Sequence, residues 1–346
     1  MNRYLASLGR QAWSPAAQGL LAGLLGYVLA GAAEIGLIRL FRPSERELAW
    51  VSDVVLSVAL GVAVYLWRHL SETRQTLAAR ERADLVLNTE LAIAGDMQRR
   101  LLPALPAPAR GVEWAAALRP AGRVGGDFYD IVTLAPGRWM LLVADVSGKG
   151  IPAAMALATL RAAFRALAHE HKGPAQILAE VSAALYEQWT GNPYVTAIVA
   201  MIERDAGTIT YANAGHPAGV LNGPTGMRSL AAMGPPAALF PNLTWSERTF
   251  ALTPGDVCVV VSDGVTEALG DRGRLKIEEI AAIATLSGTS AGALCQEVMT
   301  QALVGAGPDG VSDWYDDRTV VVLVVADDGS AADEEPLQPS RPAYVN

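Results

Sequence analysis

Four acidic sites in the sequence lie where an apolar run meets a polar turn. They are Asp127 in R-V-G-G-D-F-Y-D, Asp145 in L-L-V-A-D-V-S-G-K-G, Asp263 in V-V-V-S-D-G-V-T-E, and the Asp316-Asp317 pair before R-T-V-V-V-L-V-V. A buried or half-buried carboxylate is unfavourable unless it is paired or bound to a cation. The chain has only three lysines, so no matching lysine set can neutralise these sites. A hard divalent cation with oxygen ligands would satisfy them.

The residue types also indicate which cation and which reaction to expect. Carboxylate sites without histidine favour Mg²⁺ or Mn²⁺ over zinc or copper. Each site alone could be a solvated turn aspartate, because Asp-Gly is a common turn. Four such sites together are more typical of a shared metal site. Since two close ions can hold a bridging water and clamp an in-line displacement at phosphorus, the sequence predicts metal-assisted phosphoryl chemistry.

Several other chemistries lack the motifs that they require. The string V-S-G-K-G-I is not a Walker A loop, because Gly150 follows Lys149 and the first glycine is missing. The glycines at 122, 125 and 126 do not form G-x-G-x-x-G, the pattern of a dinucleotide-binding turn. Its four histidines form no H-E-x-x-H pattern, and two cysteines are too few for a disulfide framework or a cysteine zinc cluster. The net charge of −8 argues against a nucleic-acid partner.

The elements that must position these residues are predicted to form one mixed domain, assigned to residues 106–327. Predicted strands cover 139–144, 195–202, 208–211, 257–261 and 319–325, and predicted helices cover 151–170 and 174–189. The strands at 195–202 and 208–211 are separated by a polar turn, which predicts a hairpin. The acidic tail at 328–346 is predicted to be disordered.

The apolar excess of the chain is concentrated near its start. Apolar residues make up 51% of the chain and charged residues 18%. The runs Pro15 to Ala33 and Val54 to Trp67 carry no charge. They predict a two-helix transmembrane hairpin in residues 1–70, with helices at about 15–38 and 48–67. The first run could instead be a cleaved signal peptide, and the second a buried helix of a soluble domain.

The basic residues around this hairpin predict its orientation. Arginines in the two outer flanks outnumber those in the connector at residues 39–47. Because positive flanks stay on the cytoplasmic side, the pattern predicts a multi-pass protein of the cell membrane with a cytoplasmic catalytic domain. The lipid bilayer is then an expected partner.

Residues 71–105 are predicted to form a helical linker that ends at the following prolines. Leu87, Leu91, Ala94 and Leu101 recur at a spacing of three to four, which is typical of a helix-pairing seam. An amphipathic helix packed on its own domain would show the same spacing. Both interpretations remain open from the sequence.

Together, the motifs resemble those of the metal-dependent protein phosphatase family of type 2C, in its bacterial SpoIIE-like branch. The matching strings occur in the family order and span roughly residues 90 to 325. They are M-Q-R-R-L-L-P (97–103), V-G-G-D-F-Y-D (124–130), A-D-V-S-G-K-G-I-P-A-A-M (144–155), Y-V-T-A (194–197), Y-A-N-A-G-H-P (211–217), S-D-G-V-T-E-A (262–268) and D-D-R-T-V-V-V (316–322). The resemblance implies an α+β fold, a four-layer α/β/β/α sandwich with the metals at one end.

The resemblance also implies roles for individual residues. By motif position, Asp145 would bridge two metal ions, and the Val146 carbonyl would bind one of them. Asp127 would support that same ion, while Asp263 and Asp316 would hold the other. The family often has Asp-Asn where this chain has Asp316-Asp317, so the neighbouring Asp317 is the alternative ligand.

Two further residues near these motifs could take part in the chemistry. Arg123 lies four residues before Asp127, a spacing that matches a phosphate-binding arginine of the family. Bidentate contact between a guanidinium and a phosphate makes this role physically reasonable, although a surface arginine would look the same. His216 in N-A-G-H-P is expected to fix a turn rather than to act as a general acid.

The implied function is hydrolysis of phosphoserine or phosphothreonine in a protein, with two Mn²⁺ or Mg²⁺ ions per site. For this branch the resemblance implies a STAS-type anti-anti-sigma protein as the substrate, and a homodimer through residues 85–102. In that hypothesis the linker helix transmits a signal to the metal site. The alternatives are a non-catalytic pseudophosphatase on the same fold and another metal-dependent phosphoesterase. The complete set of aspartates argues against the first alternative, and the low basic content against the second.

Overall fold

The computed structural model describes residues 25–26, 28–34, 36–37, 49–148, 150–170, 172–189, 193–267, 276–284, 290–304 and 316–326. The chain divides into two compact units, with the boundary between Leu87 and Asn88. The tail predicted to be disordered, 328–346, lies outside the described residues. The predicted bounds of the linker at 71–105 and of the domain at 106–327 stay predictions.

Helix α1 runs from Ala49 to Leu101 without interruption. The sequence explains both its length and its end, because no proline occurs between Val51 and Leu102 and Pro103 follows directly. Arg99 and Arg100 lie in its last turn, where positive charge complements the helix dipole. The predicted helix at 48–67 and the predicted linker therefore belong to one helix.

The predicted membrane hairpin is wrong for the described part of the chain. Among these residues, no helix carries an apolar stretch of the length and hydropathy that crossing a bilayer requires. The uncharged run from Val54 to Trp67 has 14 residues against the roughly 20 that a span needs, and α1 continues from it into a strongly charged segment. The other run, Pro15 to Ala33, lies mostly outside the described residues. The predicted localisation in the cell membrane is contradicted by this finding.

The second unit contains two five-stranded sheets, and every strand pair in them is antiparallel. Sheet I has the order β1-β10-β9-β6-β7, and sheet II has the order β2-β3-β4-β5-β8. The strands are β1 Val112–Arg119, β2 Asp127–Ala135, β3 Arg138–Val146, β4 Val195–Glu203, β5 Thr208–Ala214, β6 Gly219–Asn222, β7 Arg228–Leu230, β8 Arg248–Ala251, β9 Val257–Val261 and β10 Arg318–Val325.

Helices cover the outer face of each sheet. Their bounds are α2 Ile151–Ala168, α3 Pro174–Gln188, α4 Asp263–Thr266, α5 Ile277–Ala284 and α6 Ala291–Val304. Helices α2 and α3 pack on sheet II, whereas α5 and α6 pack on sheet I. The strands and helices predicted from periodicity are all present, and the two-sheet α+β sandwich is confirmed.

The central strands are buried on both faces, and this explains why the sequence is so apolar. In β3, Trp139, Leu141 and Val143 pack between the two sheets, while Met140 and Leu142 pack under α2 and α3. Because side chains of a strand alternate between its faces, a strand buried on both faces must be apolar throughout. The apolar strands thus build three buried layers and end in polar residues only at their tips.

One buried ion pair fastens α2 to sheet II. The Asp130 carboxylate is fully buried on β2 and accepts two hydrogen bonds from Arg165, at 2.6 Å from Nε and 2.7 Å from a terminal nitrogen. Arg161 is the more distant partner, with its Nε 3.7 Å from the same carboxylate. Arg165 therefore provides most of the compensation for this buried charge.

We expect Arg165→Met to lower the free energy of unfolding by about 3 kcal/mol, because it leaves a buried carboxylate without its main partner. Urea denaturation of the two proteins measures the difference. Arg161→Met is the matched control and should have a clearly smaller effect. Equal losses for both variants would contradict the assignment of Arg165 as the principal partner.

Candidate active site

The candidate site lies where strand ends of both sheets meet. In sheet II, Asp127 begins β2 and lies directly opposite Asp145 near the end of β3. In sheet I, Asp263 follows the end of β9, and Asp316 precedes the adjacent start of β10. A hydrogen bond of 2.7 Å from Thr319 Oγ1 on β10 to Asp127 Oδ2 on β2 shows that these edges lie at the same end of the sandwich.

Asp127 and Asp145 form a like-charge pair across β2 and β3. Like charges directly opposite each other destabilise a sheet unless something neutralises them. Asp127 is also almost fully buried. Its burial, followed by the nearby charges of Asp145 and Asp317, holds the pKa of the Asp127 carboxyl well above its ordinary value. The position therefore requires a proton or a cation.

Two hydroxyl side chains of sheet I hold this carboxylate in place. The nearby hydroxyls of Ser262 and Thr319 oppose the upward shift of the Asp127 pKa, and the Thr319 hydroxyl donates directly to the carboxylate. The Thr319 amide in turn donates to Ser262 Oγ at 2.9 Å, so the two hydroxyl residues are fixed relative to each other. Both lie within strings quoted for the resemblance, but the sequence alone assigned them no role.

A second acidic pair lies at the edge of sheet I. Burial, followed by the charge of Asp316, raises the pKa of Asp263 above its ordinary value. The buried Oδ1 of Asp263 has no hydrogen-bond partner within the described part of the chain. A buried polar atom of this kind normally has a partner, and an ion would supply one.

Asp316 and Asp317 lie in different surroundings. The Asp316 residue is exposed and lines the cleft described below. The Asp317 carboxylate is buried and accepts hydrogen bonds from the amides of Ala121, Gly126 and Asp127. Because backbone donors already occupy both Asp317 oxygens, this geometry supports Asp316 as the ligand candidate.

The Val146 carbonyl oxygen and the Asp145 carboxylate lie close together beside Gly126. A Cβ atom at this position would lie 2.6 Å from the Val146 carbonyl oxygen and 2.8 Å from Asp145 Oδ1. These two oxygens therefore converge on the same spot, as expected for ligands of one ion. Any side chain at position 126 would fill that spot, so the glycine is required for close approach.

An open cleft of about 230 Å³ lies beside these residues. Its walls consist of the loop from Ala121 to Gly126, together with Asp145, Gly148, Gly150, Asp316, Asp317 and Leu91 of α1. Arg123 is exposed on this loop, so its guanidinium can reach a ligand in the cleft. Arg123, Asp145 and Asp316 thus share one cleft, while Asp127 lies behind it.

The chemistry of the donors fits Mg²⁺ or Mn²⁺. The oxygens occur in pairs: Asp145 with the Val146 carbonyl, Asp127 with Asp145, and Asp263 with Asp316. Within the described residues, no three acidic, histidine or cysteine side chains form a group that could hold an ion by themselves. Mg²⁺ commonly binds through one or two carboxylates and keeps several waters, so pairs of oxygens suit it.

His216 is unsuited to proton transfer. Its burial lowers the pKa of the imidazole to about 3, so the ring is neutral at physiological pH. Its Nδ1 lies 2.9 Å from Thr196 Oγ1, and Thr196 is the cross-strand neighbour of Asp145. Asn213 fixes its backbone through the His216 amide and carbonyl. These contacts support the expected turn-fixing role.

Sequence reasoning gave no specific role to Gln98, near the end of α1. This buried side chain donates to the Gly125 carbonyl at 2.8 Å and accepts from the Gly125 amide at 3.1 Å. One turn earlier, a Cβ at Gly95 would overlap the Arg123 carbonyl. The end of α1 is thereby joined to the cleft loop. The string M-Q-R-R-L-L-P indicated this helix, but not this contact.

Comparison with known protein families identifies the family of this chain. The family model described as Stage II sporulation protein E (SpoIIE) matches residues 135–326, more than half of the sequence. The chain belongs to the SpoIIE family. Asp145, Asp263 and Asp316 lie inside the matched residues, whereas Arg123 and Asp127 precede them.

Two curated relatives of this SpoIIE-family protein are similar over part of their length. Phosphoserine phosphatase RsbU of Bacillus subtilis (strain 168) is 26% identical over 226 residues, which cover 65% of this chain and 65% of RsbU. Phosphoserine phosphatase RsbP of the same organism is 26% identical over 188 residues, which cover 52% of this chain and 46% of RsbP. The chain thus spans less than two thirds of the length of either relative.

A solved structure shows the fold of the SpoIIE-family domain. The SiaA-PP2C domain of Pseudomonas aeruginosa matches with a TM-score of 0.61 at 18% identity, over 69% of this chain and 97% of that domain. At this identity the likeness shows the fold alone. The second unit therefore has the PP2C-like α+β fold with two sheets.

We expect the metal-free protein to lose stability as the pH rises above the ordinary pKa of an aspartate, about 4. The pKa of Asp127 is higher in the folded chain than its ordinary value, so the folded state binds a proton more readily than the unfolded state. Stability from such a group is present at low pH and is lost as the pH rises through the folded pKa. Urea denaturation in the presence of EDTA at several pH values measures this trend.

Asp127→Asn is the control for this prediction, since it keeps the shape and removes the charge. The variant should be more stable than the parent protein at pH 8 without metal, and its stability should depend less on pH. Parallel pH profiles for the two proteins would show that ionisation of Asp127 is not the cause of the trend.

Proposed function

We propose that this SpoIIE-family protein is a metal-dependent protein serine/threonine phosphatase. The observation that carries the proposal is the meeting of carboxylates from two sheets beside one cleft, with Arg123 on its wall. The pairing of buried like charges supports cation binding at this place rather than a solely structural role. The names of RsbU and RsbP as phosphoserine phosphatases support the same activity.

In this proposal the residues divide between two ions. Asp145, the Val146 carbonyl and Asp127 would serve one ion, and Asp145, Asp263 and Asp316 the other. When bound, Mg²⁺ or Mn²⁺ supplies an activated water and neutralises charge on the reacting phosphate. The chain contributes the carboxylate oxygens, and Gly126 leaves the room that they need to converge.

Arg123 is the proposed phosphate-binding residue. Its side chain is exposed on the loop that forms one wall of the cleft, so it can approach a phosphate beside Asp145 and Asp316. A guanidinium matches two phosphate oxygens at once, and this orients the phosphoryl group as well as binding it. The open cleft suits a phosphorylated side chain that projects from a protein surface.

The proposed substrate is a phosphorylated protein, and a STAS-type anti-anti-sigma protein is the class that the resemblance implies. Partner-switching signalling is the corresponding context. The presence of aspartate at every expected position favours catalysis over the alternative of a non-catalytic binding module.

We expect the full chain to release phosphate from a phosphoserine protein such as phosphorylated casein, and only with Mn²⁺ or Mg²⁺ present. Asp145→Ala and Asp263→Ala should each lower the rate by more than about 100-fold, since even indirect changes around a metal often lower activity 10- to 100-fold. A colorimetric phosphate assay across a Mn²⁺ titration measures both effects.

Asp205→Ala is the matched control for these variants. Asp205 is exposed, pairs with Arg110, and lies in the β4–β5 turn at the opposite end of the sandwich. Its variant should retain the parent rate. Parent-like activity of Asp145→Ala or Asp263→Ala would overturn the two-metal assignment.

We further propose that α1 transmits a signal to the site. The contacts of Gln98 and Gly95 with the cleft loop support this route. The side chains of Leu91 and Leu101 face the cleft and the core, while Ile93 and Met97 are exposed. A homodimer through residues 85–102 would therefore use the face with Ile93 and Met97.

Inserting two alanines after Arg82 tests this route. The insertion rotates the upstream part of α1 by about 200° relative to Gln98, whereas seven inserted residues restore the original face to within about 20°. We expect the short insertion to change the phosphatase rate and the long one to restore it. Identical rates for both insertions and the parent protein would count against transmission through α1.

A further inference from the structure

The Asp317 carboxylate has an unusual set of donors. It is only 6% exposed, and each of its oxygens accepts from the backbone. Oδ1 accepts from the Ala121 amide at 2.7 Å, and Oδ2 accepts from the amides of Gly126 at 2.5 Å and Asp127 at 3.3 Å. These three donors belong to the two ends of one short loop, so the carboxylate binds the loop backbone at both ends. This set of three hydrogen bonds is called the clasp below.

This loop connects the two sheets. It leaves β1 of sheet I after Arg119 and enters β2 of sheet II at Asp127. Between them it forms one wall of the cleft and carries Arg123. Because Asp317 directly precedes β10 of sheet I, its carboxylate holds the sheet II end of the loop against sheet I.

The backbone of Asp317 contacts residues that adjoin or belong to the acidic pair of Asp263 and Asp316. Its amide donates to Asp316 Oδ1 at 3.0 Å, and its carbonyl accepts from Ser262 Oγ at 3.3 Å. A Cβ at Gly264 would overlap the same carbonyl. Asp317 thus contacts the loop that bears Arg123 through its side chain and the Asp316 carboxylate through its backbone amide.

The geometry requires a carboxylate at this position. An ionised carboxylate accepts through both oxygens, whereas an asparagine side chain offers one oxygen and one NH₂ group. In asparagine, the NH₂ group would face either the Ala121 amide or the Gly126 amide, and two donors would be opposed. Gly125 completes the fit, since a Cβ there would overlap the Asp317 carboxylate.

We propose that Asp317 is a positioning residue whose carboxylate clasps the loop at residues 121–126 and so sets Arg123 relative to Asp316. It does this without binding the metal itself. The proposal deepens the proposed function and rests on it for the roles of Arg123 and Asp316. The clasp itself is a property of the fold and can be measured without any activity.

The test that is independent of activity is hydrogen exchange of the full chain, followed by mass spectrometry of peptides that cover residues 119–130. In Asp317→Asn, exchange in this loop should be at least about tenfold faster than in the parent protein, because buried acceptor contacts are lost. Gly125→Ala crowds the same carboxylate from the loop side and should have the same effect. Unchanged exchange in both variants would overturn the clasp.

The second test separates positioning from metal binding. We expect Asp317→Asn to raise the KM for phosphorylated casein about tenfold, as expected when a charged hydrogen bond to substrate is weakened, while the Mn²⁺ concentration for half-maximal rate stays nearly unchanged. Asp316→Asn should instead raise that Mn²⁺ concentration strongly. Loss of Mn²⁺ binding in Asp317→Asn to the same extent would make Asp317 a ligand and refute the proposal.

A double-mutant cycle with Arg123→Ala completes the design. If Asp317 acts through Arg123, the KM increases of the two single variants should not multiply in the double variant. Independent, multiplicative effects would refute the coupling, and a loss of thermal stability with an unchanged KM would reduce Asp317 to a structural role. If the parent protein releases no phosphate under any metal condition, the proposed function fails, while the exchange result still decides on the clasp.

Discussion

The repulsion between carboxylates at one end of the sandwich governs the rest of the structure. Asp127 and Asp145 lie opposite each other on neighbouring strands of sheet II. Asp263 and Asp316 lie near each other at the strand ends of sheet I. A fold would not keep such pairs partly buried for stability alone, because apolar residues would pack there at lower free energy. In the proposed function these unfavourable pairs would serve as ligands of cations.

Holding these carboxylates close together requires rigid support from both sheets. Hydroxyls of Ser262 and Thr319 reach across from sheet I to Asp127 on sheet II. Asp317 makes the reverse connection, because its acid belongs to sheet I and the backbone amides that donate to it lead into sheet II. The two sheets are therefore joined at this end by polar contacts that cross between them, in addition to the apolar layer behind.

The sequence was sufficient for those features that depend on strand ends and short motifs. Apolar runs that stop at an acidic residue predicted that Asp145 and Asp263 lie at strand ends. The structure has each of them at the same end of its sheet as a second acid. The different surroundings of Asp316 and Asp317 depend on backbone amides nearly 200 residues away in sequence, which no local pattern encodes. The membrane hairpin failed for a different reason: the uncharged run from Val54 to Trp67 is shorter than a bilayer span requires, and the helix that contains it continues into a charged segment.

The cleft loop is where these separate constraints meet. Gln98 holds Gly125 from the helix side, Asp317 holds Gly126 from sheet I, and the Gly126 carbonyl accepts a hydrogen bond of 3.0 Å from the Val146 amide on sheet II. Because glycines leave no room between the loop and these partners, the loop cannot shift toward one of them without breaking a contact with another. A displacement of the end of α1 would therefore be transmitted through this short piece of backbone to Arg123 on the wall of the cleft.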